Sequence, residues 1–183
     1  MNELSWWLLQ RRLKSIQLLV LDVDGVLTDG GLWLDAEGNL SKRFDVRDGL
    51  GIRLLQQEGL QIAFLSGGLG GATEERARQL DITHCLVGIK DKCSALSTLQ
   101  KRLGVSIAET AFVGDDLNDL AVRPVVGLLF SPADACRSTR RVADAVLQRP
   151  GGHGGLLELV ERILQLRGRL ERLHREGWEG GND

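Results

Sequence analysis

The chain has 183 residues, a formal net charge of −2 and an isoelectric point of about 6.0. That length suits one domain with a proper core, and the lack of a basic field excludes a nucleic-acid partner. Three scattered cysteines (Cys85, Cys93, Cys136) with no C-x-x-C pair argue for a reducing compartment and against a disulfide frame or a zinc site.

The first apolar stretch, Leu4-Ser5-Trp6-Trp7-Leu8-Leu9, is short. Its basic residues, Arg11, Arg12 and Lys14, follow it, whereas a secretory signal places them before. No run approaches the roughly 20 apolar residues of a membrane span. The expectation is a soluble, cytoplasmic protein whose first segment is a helix packed on the body or on a neighbouring subunit.

Leu18-Leu19-Val20-Leu21 then runs directly into Asp22-Val23-Asp24-Gly25. A continuous apolar run reads as a buried parallel strand, and the carboxyl ends of such strands are where open α/β sheets place ligands. Two acids there repel each other and are penalised by burial, so a hard cation with oxygen ligands is the natural compensation. The plainer reading of Asp22 and Asp24 is an ordinary turn after a strand.

Leu32-Trp33-Leu34 and Leu40 to Phe44 read as a hairpin turning at Asp35-Ala36-Glu37-Gly38-Asn39. It directly follows the first acid pair, so it is expected to overhang the site as a flap (about 31–45). Asp48-Gly49 opens a helix with Asp48 as N-cap, stopped by Gly59. Leu60 to Leu65 is a second core strand ending in Ser66-Gly67-Gly68, and a helix spans about Ala72 to Leu80. Cys85 to Val87 is a short strand. Lys90 to Leu103 is an amphipathic helix stopped by Gly104. Ser106 to Glu109 fits a capping box. Ala111 to Val113 is a strand running into Gly114-Asp115-Asp116-Leu117-Asn118-Asp119. Val125 to Phe130 and Ala143 to Leu147 read as strands, Leu156 to Leu166 as a closing helix, and 167–183 as a charged, mobile tail ending in Gly180-Gly181-Asn182-Asp183. Alternating strands and helices predict an α/β fold with a mainly parallel sheet in a single domain, residues 1–183.

Three strand ends therefore carry polar groups: Asp22 and Asp24, then Ser66, then Asp115, Asp116 and Asp119, with Lys92 at a helix start. Acids that hold magnesium, with a hydroxyl and an ammonium for non-bridging oxygens, suit phosphoryl transfer. A carboxylate then serves as nucleophile through an aspartyl-phosphate, and its neighbour as general acid and base. Taken alone, Lys92 reads equally as a solvated lysine at a helix start.

In this order Asp22-x-Asp24, Ser66, Lys92 and Gly114-Asp115-Asp116-x-x-Asp119 resemble the four motifs of the haloacid dehalogenase superfamily, over about residues 16–166. The resemblance implies a Rossmann-like sheet flanked by helices. It implies Asp22 as nucleophile and Asp24 as acid/base and carbonyl ligand of Mg2+. It implies Ser66, Gly67 and Lys92 as the phosphoryl cradle, and Asp22, Asp24 and Asp115 as metal ligands. Asp116 and Asp119 would be supporting residues, the latter orienting Lys92 or a water on the ion. Asp22 to Gly30, Phe44 to Gly49 and Gly151-Gly152-His153-Gly154 are similar to the 3-deoxy-D-manno-octulosonate 8-phosphate phosphatase subfamily. That resemblance implies no large cap domain, a phosphorylated sugar or sugar acid as substrate, and a homotetramer whose hairpins and C-terminal segments help close neighbouring sites. Trp33, with Leu32 and Leu34, would then be an interface residue, or would simply pack on its own subunit. Arg47, Gly68, Arg76 and His153 are candidate substrate residues. Gly68 stands where the octulosonate enzymes usually have arginine and the relatives acting on KDN 9-phosphate glutamate, His153 where the subfamily usually has arginine, and Cys136 where it often has histidine. These departures imply a phosphatase acting on a different or smaller, unrelated phosphate ester. Two rival readings fit part of the pattern. One is a non-catalytic oligomerisation module like those fused to sugar-nucleotide synthetases, and the other is a phosphate-accepting signalling receiver.

Overall fold

The computed structural model describes residues 3–178. Six parallel strands form one sheet in the order β5-β4-β1-β6-β7-β8. These are β1 (Leu18–Leu21), β4 (Gln61–Leu65), β5 (His84–Leu86), β6 (Thr110–Val113), β7 (Leu128–Ser131) and β8 (Ala145–Val146). A separate antiparallel hairpin is made of β2 (Trp33–Leu34) and β3 (Leu40–Ser41). Helices α1 (Glu3–Lys14), α2 (Val46–Gln57), α3 (Ala72–Gln79), α4 (Lys92–Leu103), α5 (Arg137–Val142), α6 (Gly155–Leu166) and α7 (Leu170–Glu176) complete the chain.

Side chains alternate across the pleat, and each face of the sheet has its own core. Leu19, Leu21, Phe64, Val113 and Phe130 pack under α1, α2 and α6, with Leu13, Ile52, Leu55, Leu159 and Ile163. Leu18, Val20, Ala63, Leu65 and Phe112 pack under α4 and the 3-10 segment Leu117–Val125, with Leu96, Leu99 and Val122. Burial on both faces is why β1 reads as an unbroken apolar run. Phe64, Phe112 and Phe130 are fully buried, each contributing about 1.5–3 kcal/mol by removal from water.

The chain builds β1, β4 and β5 outward in one direction, then returns to lay β6, β7 and β8 on the other side of β1. The switch point of the sheet thus lies at β1, where a crevice opens beyond the strand ends.

Several boundaries differ from the sequence expectation. The N-cap of α2 is Asp45, whose side chain accepts from Arg47 N at 2.8 Å; Asp48 is not a cap but a buried residue of the first turn. Both aspartates are chemically competent caps, and the extended backbone falls at Asp45. The expected strand from Val125 begins only at Leu128, because the apolar residues before it belong to the 3-10 segment. Each hairpin strand is two residues long. Helix α4 starts at Lys92, capped by Asp91, which accepts from Ser94 N at 2.9 Å. The capping box at Ser106 and Glu109 forms as expected, around a 3-10 turn. Leu9 and Leu13 of α1 are buried in the body. Helix α7 lies in the segment read as a tail, and Leu170, Leu173 and Trp178 pack against the core; Gly180 to Asp183 lie outside the described residues.

Candidate active site

The ends of the three central strands converge. Asp22 follows β1, Ser66 follows β4 and Asp115 follows β6, and in the sheet β1 lies between the other two. Asp22 is buried; its Oδ1 accepts from Val23 N at 2.7 Å and its Oδ2 lies 3.0 Å from Lys92 Nζ. The Lys92 side chain is buried at the first turn of α4, where it also donates to Asp119 Oδ1 at 2.6 Å. Asp119 spends its other oxygen on the backbone N–H groups of Asp115 and Asp116, at 2.8 and 3.2 Å. It is therefore a positioning residue that holds both the lysine and the Asp115 loop. Asp116 is exposed and caps the following 3-10 turn, with its Oδ1 accepting from Leu117 N at 2.7 Å.

The loop after β1 is tied by Thr28, which is fully buried. Its Oγ1 accepts from Gly25 N and Gly30 N and donates to Val23 O. Gly25 has φ +84°, and an added Cβ would overlap the Asp115 carboxylate. Only glycine satisfies both the left-handed backbone and the close approach of the two loops. Ser66 is buried, and its Oγ accepts from Gly68 N at 3.1 Å. A Cβ on Gly67 would meet Asn118 Nδ2 at 3.8 Å, so the loops after β4 and β6 face one another.

Oxygens of Asp22, Asp115 and Asp119 lie within 4.8 Å of one another. Burial, then the charge of Asp119, raises the Asp22 pKa to about 7 against the opposing lysine. Burial, then the charges of Asp22, Asp119 and Asp116, likewise raises Asp115 to about 7. For Lys92 burial works against its charge, but Asp22 and Asp119 prevail and its pKa is raised. Asp115 Oδ1 is buried with no hydrogen-bond partner among the described residues. Repelling carboxylates with an unpartnered inward oxygen are a donor set for a hard divalent cation. Magnesium fits these residues.

Gly68 borders the site, since a Cβ there would lie 2.9 Å from Asp24 Oδ2 and 3.4 Å from Ser66 Oγ. Two of the other three substrate candidates, Arg47 and Arg76, make contacts outside this acid cluster. Arg47 forms a two-pronged ion pair with Asp45, at 2.7 and 3.0 Å. Arg76 stacks over the Phe44 ring at 5.8 Å and donates to Gln79 Oε1. His153 is exposed on the Gly151–Gly154 loop, whose Gly152 N donates to Val26 O at 3.0 Å. Lys42 was not legible as a site residue, yet its Nζ lies 2.7 and 2.9 Å from the two Asp24 oxygens. A lysine within an otherwise exposed hairpin carries no local signal of burial.

No family model matches the chain. It is 40% identical over 161 residues to the 3-deoxy-D-manno-octulosonate 8-phosphate phosphatase KdsC of Haemophilus influenzae, covering 88% of this chain and 89% of the relative. It is 38% identical over 158 residues to KdsC of Escherichia coli K12, covering 86% and 84%. Among solved structures, the Moraxella catarrhalis 3-deoxy-D-manno-octulosonate 8-phosphate phosphatase, in complex with a magnesium ion, a phosphate ion and a KDO molecule, superposes with a TM-score of 0.88. It is 35% identical and is matched over 91% of this chain and 96% of its own. A cobalt-bound form of the Haemophilus influenzae deoxy-D-mannose-octulosonate 8-phosphate phosphatase gives 0.84 at 40% identity, over 87% and 93%.

Proposed function

Since the chain belongs to the 3-deoxy-D-manno-octulosonate 8-phosphate phosphatase family of the haloacid dehalogenase superfamily, we propose that Asp22 is the nucleophile of a magnesium-dependent phosphatase. The protein is a phosphoric monoester hydrolase acting on a phosphorylated sugar or sugar acid, and the substrate we propose is 3-deoxy-D-manno-octulosonate 8-phosphate or a close relative. The observation that carries this reading is the convergence of Asp22, Ser66 and Asp115 at the ends of adjacent strands, with Lys92 reaching Asp22 from the first turn of α4.

Asp22 attacks phosphorus while the bond to the sugar oxygen breaks, and Asp24 gives that oxygen a proton. Ser66, the Gly67 backbone and Lys92 hold the non-bridging oxygens of the phosphoryl group. Asp24 then takes a proton from water, which attacks the aspartyl-phosphate, releasing inorganic phosphate and free Asp22. Magnesium would be held by Asp22, the Asp24 carbonyl and Asp115, and would supply positive charge that keeps Asp22 and Asp115 ionised and offsets the charge of the phosphoryl oxygens. Asp119 keeps Lys92 and the Asp115 loop in place, with Asp116 as outer support. Arg47, Gly68, Arg76 and His153 are proposed to shape recognition of the sugar.

The working form proposed is a homotetramer in the cytoplasm, each chain a single domain whose hairpin covers a site. Exposed Leu32, Trp33 and Leu34 on that hairpin support the assembly, and the unpaired cysteines support the compartment. Among the described residues no helix is long and apolar enough to cross a membrane. An oligomerisation module has no use for an intact acid–lysine set. A receiver keeps its paired acids adjacent at the first strand, which Asp22-Val23-Asp24 does not.

The test is phosphate release from a panel of sugar phosphates with magnesium present. The wild type is expected to turn over 3-deoxy-D-manno-octulosonate 8-phosphate or a related ester repeatedly. Asp22→Asn is expected to lose at least about 1000-fold in kcat while keeping its circular dichroism spectrum. Turnover of no ester by the wild type, or normal turnover by the variant, overturns the reading.

A further inference from the structure

We propose that Lys42 is a positioning residue that clips the hairpin to Asp24 and fixes that carboxylate for proton transfer to the leaving group. The inference deepens the reading above and rests on it for the role of Asp24.

Every residue from Asp29 to Ser41 is exposed, so the hairpin has almost no grip of its own on the body. Lys42 follows directly, and its side chain is only 2% exposed. An ammonium is not buried without partners. Here it has two: it donates to Asp24 Oδ2 at 2.9 Å and to Thr73 Oγ1 at 3.1 Å, and its ion pair with Asp24 closes to 2.7 Å at Oδ1, which accepts no hydrogen bond among the described residues. Thr73 is itself fully buried in the first turn of α3. One ammonium thus joins three segments distant in sequence, namely the hairpin, the loop after β1 and α3.

Lys42 is also near the chemistry. The point where a Cβ on Gly68 would stand is 2.9 Å from Asp24 Oδ2, 3.4 Å from Ser66 Oγ and 3.6 Å from Lys42 Nζ. Glycine leaves that space open, bordered by the acid, the phosphoryl-binding hydroxyl and the ammonium. The ester oxygen of a phosphoryl group held by Ser66 can meet Asp24 there. Asp24, anchored through Oδ2, cannot swing toward the neighbouring acids and away from that oxygen, and its Oδ1, which accepts no hydrogen bond among the described residues, is left to carry the proton. The hairpin and the acid are then set together, so that a properly seated flap accompanies a correctly aimed carboxylate.

The experiment compares kcat/KM, which stops at cleavage of the ester, for two substrates with magnesium present. 3-Deoxy-D-manno-octulosonate 8-phosphate must expel an alkoxide and needs the proton; para-nitrophenyl phosphate expels a stable phenolate and does not. Lys42→Gln is expected to lose about 100-fold on the alkyl ester and less than about 5-fold on the aryl ester. Lys42→Arg, which keeps charge and reach, is expected to hold the alkyl-to-aryl ratio within about 10-fold of wild type. Equal losses on both esters, a change confined to KM, or no loss at all overturns the proposal. If Lys42→Gln melts below the assay temperature, Lys42→Met, which keeps the apolar stem and removes the charge, is read in its place: a loss confined to the alkyl ester supports the proposal, and equal losses or none overturn it. Failure of the wild type on both esters would instead overturn the phosphatase reading.

Discussion

Asp119 shows how one side chain organises a candidate site through its hydrogen bonds to neighbouring protein groups. Both of its oxygens are committed, one to Lys92 and one to the backbone of the Asp115 loop. Lys92 is thereby aimed from α4 across to Asp22. Gly25 plays the complementary part by leaving room, because its absent side chain is what lets the Asp115 carboxylate close in. Gly25→Ala is expected to weaken magnesium affinity by at least about 10-fold, by combining left-handed strain with displacement of a ligand. Isothermal titration of magnesium into the purified variant checks this, and unchanged affinity would show that Asp115 does not hold the ion. The motif acids were legible in sequence because each follows an apolar run. Lys42 and Thr28 were not, since their importance comes from where the chain folds back: Lys42 reaches Asp24 from 18 residues away, and Thr28 turns inward to tie its own loop.

Helices α2 and α6 are joined by a buried acid. Asp48 accepts from Gly154 N at 3.3 Å and Leu157 N at 3.0 Å, and so serves the N-terminus of α6 from within α2. Burial, reinforced by Asp45 and opposed by those N–H groups, raises its pKa to about 6. The folded chain then holds this proton more tightly than the unfolded chain does. Stability from this group is fully present below the unfolded value near 3.8 and is lost as pH rises through about 6. Asp48→Asn is expected to flatten the fall in melting temperature between pH 4 and pH 7, removing up to about 3 kcal/mol of pH dependence. Thermal melts of both proteins in magnesium buffers test it, and parallel curves would refute the assignment. Strands β1, β4 and β6 were legible because apolar runs of three to four residues between turn signals suit a sheet buried on both faces. The start of β7 was not, because Val122, Val125 and Val126 are equally apolar but sit in or beside a 3-10 segment. Helix α7 was missed because its charged residues hide the few apolar anchors that dock it.

In the molecule as a whole, the hairpin stands out among the described residues for three consecutive exposed apolar side chains. Leu32, Trp33 and Leu34 are 58%, 69% and 71% exposed, more than a solitary soluble chain usually leaves on one short element. If four chains bury these residues, light scattering on the purified protein should report about four times the 20.1 kDa of one chain. The double variant Trp33→Glu, Leu34→Glu should shift that mass toward one chain. A wild-type mass equal to a single chain would refute the tetramer. The α/β class was legible from alternation alone; the sheet order was not, because nothing in an isolated strand says on which side of β1 it will settle.

That order has a consequence for biogenesis. Asp22, the proposed nucleophile, follows β1 and emerges early in synthesis, while Asp115, the carboxylate proposed to complete its cation seat, arrives only with the loop after β6, on the opposite flank. A nascent chain halted before Asp115 therefore carries half the proposed seat and nothing to close it. Metal loading must wait until translation has passed that point, and magnesium rewards only chains that have closed their sheet from both sides.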